Sequence, residues 1–117
     1  MKYAVKCASV PGRRKDCLIW EDGKILEFGV FSEMTESLKD ISVKNLDTYI
    51  MMPGFIDSHI HGAVGVDVGT CDLSGLLKMA ETLAKHGVTA FLPTIPAAHP
   101  EQNRAALEVI RQGMEAT

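Results

Sequence analysis

The chain reads as an α/β protein, with a β-rich stretch of about 50 residues followed by strand, helix, strand and helix, the order of parallel βα units. Three observations lead there. Asp22-Gly23 sits between two apolar runs, a strong hairpin signal in the first half. After Thr70 the apolar period changes from two to about 3.6. A short apolar run, Val88 to Leu92, then separates two stretches of helical period.

Taken in order, Tyr3, Val5 and Cys7 alternate with Lys2, Ala4 and Lys6, which suits a half-exposed first strand closed by a turn at Pro11-Gly12. Cys17 to Trp20 and Lys24 to Phe28 form the arms of the hairpin around Glu21-Asp22-Gly23. Ser32 to Lys44 is polar and weakly patterned, so a loop is expected there with a short strand at Ile41 to Val43. Asp47 to Met51 leads into a Pro53-Gly54 turn, and a buried strand follows. Gly62 to Thr70 is expected as a loop. Leu73, Leu76, Leu77, Ala80, Leu83 and Ala84 fall on one face of a helix. Asp72 or Thr70 can cap its start, and Gly87 supplies its stop. Val88 to Leu92 is a strand ended by Pro93. A second helix begins near Pro100, with Ala106, Leu107, Ile110 and Met114 as its apolar stripe. The division expected is residues 1–52 and 53–117.

A length of 117 residues suffices for one domain with its own core. The formal net charge of −3 provides no basic field to recruit nucleic acid or an anionic membrane. The one basic cluster, Arg13-Arg14-Lys15, reads as a solvated turn. Cys7, Cys17 and Cys71 are odd in number and widely spaced, as expected of small buried residues in a reducing compartment. No secretory h-region follows Met1, and no stretch reaches the ~20 apolar residues of a membrane helix. A cytoplasmic protein is the expectation.

The chemistry concentrates in Pro53-Gly54-Phe55-Ile56-Asp57-Ser58-His59-Ile60-His61-Gly62. Side chains at i and i+2 of a strand share a face, so His59 and His61 project together, with Asp57 one step earlier and Ile56, Ser58 and Ile60 opposite. Two adjacent imidazoles suit zinc or a similar divalent ion. They lie at the strand's C-terminal end, where parallel α/β barrels carry their chemistry.

This string resembles the opening of the barrel in the amidohydrolase superfamily, and most closely that of N-acetylglucosamine-6-phosphate deacetylases. Trp20-Glu21-Asp22-Gly23-Lys24-Ile25-Leu26-Glu27-Phe28-Gly29 is similar to the hairpin with which these enzymes begin. Gly87-Val88-Thr89-Ala90-Phe91-Leu92-Pro93-Thr94 is similar to their second barrel strand, and the three segments stand in the family's order. The fold this implies is the first two βα units of an incomplete TIM barrel (53–117), preceded by part of a small β-sandwich (1–52). A whole barrel takes about 250 residues, so the expectation is an N-terminal portion of a larger enzyme, inactive alone.

The resemblance implies hydrolysis of the acetamide of N-acetylglucosamine 6-phosphate to glucosamine 6-phosphate and acetate, through water activated by a metal. It implies His59 and His61 as ligands to a divalent ion, zinc first, with iron or another transition metal as alternatives and one or two ions open. The family's glutamate ligand, further histidines and aspartate base would fall beyond Thr117, so no catalytic base or substrate-binding residue is assigned here. An amino-sugar phosphate is the implied partner, with a homodimer for the complete enzyme. Other readings are a piece of another amidohydrolase sharing Asp-x-His-x-His, or a noncatalytic module that pairs its strand edges with a partner chain.

Further residues carry weaker signals. Asp57 either supports the site from below or caps the strand's entry. Asp67 reads as an ordinary loop aspartate. His86 falls in a helix's last turn, at the surface. His99 is expected to cap the second helix, and Thr94 is a substrate-side candidate. Gly62-x-x-Gly65 lacks the Lys-Ser/Thr of a phosphate-binding loop.

Overall fold

A computed structural model describes residues 1–8 and 14–116, in two compact units, Met1–Pro53 and Gly54–Thr117. The expected Pro11-Gly12 turn and Arg13 of the basic cluster lie outside the described residues. Among the described residues no helix is long and apolar enough to cross a membrane.

The first unit is a four-stranded sheet of β1 (Lys2–Ala8), β2 (Cys17–Glu21), β3 (Lys24–Gly29) and β4 (Val43–Ile50), in the order β3-β2-β1-β4. The β2–β3 hairpin turns where expected. Asp22 (φ 48°) and Gly23 (φ 74°) both take the left-handed conformation that a two-residue turn requires to match strand twist. Ala4 pairs with Ile19, and both are buried with Cys17 and Met34. Phe31, Leu38, Ile41 and Val43 cover them, and the Phe31 amide donates to Asp16 Oδ1 at 2.7 Å.

Two expectations change in this unit. The alternation in β1 favoured the face of Tyr3, but that ring is 49% exposed, stacked on Trp20 with centroids 5.6 Å apart. The covering segment carries Phe31 and Met34 to the face of Ala4 instead. The strand expected at Ile41 to Val43 starts at Val43 and runs to Ile50, parallel to β1. Its apolar residues, Val43, Leu46, Tyr49 and Ile50, do not alternate with a period of two, so the strand shows no hydropathy pattern, and it is held by ladder hydrogen bonds and by Lys6 Nζ on Asp47 Oδ1 at 2.6 Å. That pairing raises the Lys6 pKa and lowers that of Asp47.

The second unit contains β5 (Phe55–Ile60), a two-residue hairpin β6 (Gly62–Ala63) and β7 (Val66–Asp67), α1 (Leu73–Lys85), β8 (Val88–Pro93) and α2 (Pro100–Ala116). Strands β5 and β8 run parallel, with α1 between them in sequence, which makes this a βα unit. Val68, Leu76 and Met79 form the core, with Phe91, Val109 and Ile110 against them. Asp72, rather than Thr70, caps α1 by accepting from Gly75 N at 2.7 Å, a bond worth about 1 kcal/mol. Gly87 (φ 85°) ends the helical segment.

Strand β5 is not the buried strand the sequence suggests, since Phe55 is 63% and Ile56 72% exposed. Burial of a parallel strand requires cover on both faces, and the sheet of β5 contains β8 alone as its neighbour. The loop expected over 62–70 holds the β6–β7 hairpin, too short to show a period, with Val64 (φ 51°) and Gly65 (φ 78°) at its turn. In α2 the buried positions are Ala106 and Gly113, whereas Leu107 and Met114 of the expected stripe are exposed. Smallness decides this. A Cβ on Gly113 would stand 2.7 Å from Leu76 Cδ2, so the helices approach where a side chain is missing, a signal no hydropathy stripe contains.

Candidate metal site

His59 lies in the last turn-ward residues of β5 and His61 just past its end. The β5–β8 register pairs Asp57 with Phe91 and Ile60 with Pro93, so Ser58 and His59 stand opposite Leu92 alone. Such an extra residue bends a strand and re-aims its side chains. The His59 amide bonds to Asp57 Oδ1 at 3.1 Å. Of the two roles open to Asp57, this one is a local backbone prop beneath His59.

The two rings meet edge to face, with centroids 4.9 Å apart, and their Nε2 atoms converge to 3.2 Å. Two ligands of a tetrahedral ion with bonds of 2.0–2.1 Å lie about 3.4 Å apart, so the pair fits one divalent cation. His61 Nδ1 lies 2.8 Å from the main-chain oxygen of Thr94. A carbonyl oxygen only accepts, so Nδ1 carries the proton and Nε2 presents its lone pair. Both histidines are exposed, which leaves the paired nitrogens accessible. Among the described residues no three His, Cys, Asp or Glu side chains come together, so this donor set has two members.

The loop after the pair is tied to it. Val68 N donates to the His61 carbonyl at 2.8 Å, and Val68 is itself core. Gly62 is required by close approach, because a Cβ there would overlap the Val66 carbonyl. Gly62→Ala should therefore destabilise the second unit by about 1–3 kcal/mol, since backbone cannot step aside. Urea unfolding checks this, and an unchanged midpoint would sink the claim.

The other candidates separate clearly. Asp67 Oδ1 accepts from Gly69 N at 2.7 Å and its carbonyl from Cys71 N at 2.8 Å, a structural turn. His86 is exposed at the end of α1, its Nδ1 2.8 Å from the Thr82 carbonyl. At His99 it is the carbonyl, not the ring, that enters the α2 hydrogen-bond pattern, accepting from Asn103 N at 3.1 Å. Burial pushes the thiols of Cys7, Cys17 and Cys71 up, which disfavours the thiolate a metal needs. Among the described residues Thr94, the substrate-side candidate, bonds through its side chain only to Leu92 O, at 3.1 Å. Its backbone matters instead, since its N–H donates to Ile60 O at 2.8 Å while its oxygen holds His61.

Two of the strings that carry the family resemblance, those around Phe55 and around Thr89, also touch one another. A Cβ on Gly54 would overlap the Thr89 side chain, Phe55 N donates to Gly87 O at 2.8 Å, and Thr89 Oγ1 donates to Phe55 O at 3.4 Å.

Residues 50–117 match the model of the Amidohydrolase family. An N-acetylglucosamine-6-phosphate deacetylase of Caenorhabditis elegans is 32% identical over 107 residues, 86% of this chain and 25% of that protein. An N-acetylgalactosamine-6-phosphate deacetylase of Escherichia coli O157:H7 is 39% identical over 62% of this chain and 19% of its own length. A Vibrio furnissii N-acetylglucosamine-6-phosphate deacetylase is 46% identical over 49% of this chain and 14% of its own. The chain thus spans a quarter or less of the curated relatives it matches.

Proposed function

Since the chain belongs to the amidohydrolase family, we propose that it carries the histidine pair of a metal-dependent deacetylase acting on an N-acetylated amino-sugar 6-phosphate. The reaction adds water across the amide C–N bond, releasing acetate and the free amine of the sugar phosphate. His59 and His61 would hold a divalent cation, zinc first. When bound, that cation supplies Lewis-acid polarisation of the amide carbonyl and acidification of water.

The observation that carries this reading is the 3.2 Å convergence of the two Nε2 atoms, with His61 already oriented through Nδ1. The chain's own residues have defined tasks. Thr94 orients His61, Asp57 props His59, and the turn of Asp67 to Cys71 holds the loop beside the pair. Catalysis asks for more than two protein ligands and for a base, so the activity is proposed for a polypeptide that also supplies those groups. In that polypeptide, residues 1–52 would form part of a β-sandwich and residues 53–117 the first two βα units of a TIM barrel.

The test is acetate release from N-acetylglucosamine 6-phosphate and its galactosamine epimer by such a polypeptide, before and after chelation and zinc return. Chelator-sensitive release restored by metal supports the proposal. Release indifferent to chelation, or absent with both sugars, overturns it.

A further inference from the structure

Val64 breaks a local rule with no return in the folded chain. It takes the left-handed conformation (φ 51°) at the tip of the β6–β7 hairpin, ahead of Gly65 (φ 78°). A two-residue turn of this kind favours Asn, Asp or Gly at its first position, and a β-branched residue there is strained. Burial does not offset the strain, because the side chain is 49% exposed. The neighbours on either side of the turn, Ala63 and Val66, pair across the hairpin and pack on the core, so they hold the turn closed against the strain. Strain imposed by surrounding packing, on a side chain that the packing does not use, clusters at ligand-binding sites. The place of the tip points to the ligand. The hairpin starts at Gly62, the residue after His61, and Val68 N ties its far end back to the His61 carbonyl at 2.8 Å. Three residues of chain span at most about 11 Å, so Val64 stays within that reach of His61.

We infer that Val64 is a specificity residue for the acyl group: its isopropyl group, presented by the strained turn, contacts the methyl of the N-acetyl group. This rests on the deacetylase reading above for the identity of the ligand. In that reading the amide carbon reacts at the histidine pair, and the acyl methyl, one bond from that carbon, is the apolar group of the substrate nearest the pair. An exposed isopropyl gains by covering a methyl, since both surfaces then leave water. A formyl group has no methyl to cover, so it loses this contact. Val64→Gly relieves the strain and removes the contact. Val64→Thr keeps the β-branch, and with it the strain, but exchanges one methyl for a hydroxyl.

Two measurements test this. In the full chain, Val64→Gly should raise the urea midpoint, whereas Val64→Thr should leave it close to the parent's. A midpoint that Val64→Gly leaves unchanged or lowers means an unstrained turn and overturns the inference. In the longer polypeptide that supplies the remaining ligands and the base, release of acetate and of formate is compared from N-acetyl- and N-formylglucosamine 6-phosphate. The acetyl-to-formyl ratio of kcat/KM should fall about tenfold in Val64→Gly and about threefold in Val64→Thr, the low end of what one carbon is worth in an apolar contact. A ratio taken within one enzyme does not respond to partial folding or metal loss, so a merely structural role for Val64 leaves it unmoved. An active parent whose ratio is unchanged in Val64→Thr, or in both variants, overturns the inference and leaves the deacetylase reading standing. A parent that hydrolyses neither sugar sinks that reading, and the contact with it.

Discussion

Replacing His59 or His61 by alanine should reduce zinc affinity of the chain by at least about 100-fold, more than an outer-shell change costs. With the pair intact, a cation gains two imidazole nitrogens already 3.2 Å apart. With one removed, a single exposed histidine is left, and a monodentate imidazole competes poorly with water. Both variants should fold as the parent does, because the two rings are exposed and neither belongs to the core cluster of Val68, Leu76 and Met79. Equilibrium dialysis against zinc, with circular dichroism as a folding control, tests this. Equal affinity in parent and variants would mean that zinc binds elsewhere.

Met79→Ala should be the most damaging single change to the second unit, costing about 2–5 kcal/mol. Met79 is fully buried at 0% exposure and sits between Leu76 of its own helix and the aromatic and aliphatic cover of Phe91, Val109 and Ile110. Truncation removes its transfer free energy and leaves a cavity whose walls come from α1, β8 and α2, elements that cannot collapse independently. Urea unfolding followed by circular dichroism reads the loss. A cost below about 1 kcal/mol would show that the helices close over the void. By the same logic Met114→Ala, at 76% exposure, should be close to neutral.

Much of the candidate site was legible because its residues are chemically distinctive and close in sequence. His59 and His61 needed only the two-residue period of a strand. The hairpin at Asp22-Gly23 and the cap at Asp72 were legible for a similar reason: left-handed backbone and orphan amides each select few residue types. The Thr94 carbonyl was not legible. Every residue has such an oxygen, so nothing in a one-letter code marks the one that faces an imidazole. The slipped register opposite Leu92 was hidden likewise, because pairing with β8 creates it.

Strand β4 and helix α2 show the other limit. In β4, backbone hydrogen bonds and an exposed ion pair hold a strand whose apolar residues are spaced by three and then one, which a search for apolar alternation passes over. In α2, Gly113 faces Leu76 because it is small, so the contact face lies about one residue away from the stripe of large side chains.

The α/β order, the turn and cap positions, the histidine pair and the family resemblance are all readable from the one-letter code, because they rest on local stereochemistry or on strings of specific residues. Packing between segments sets which faces are buried, that Gly54 makes room for Thr89, and that a main-chain oxygen 33 residues away orients His61. Those outcomes depend on distances between segments remote in the chain, and neither periodicity nor residue type encodes such distances directly.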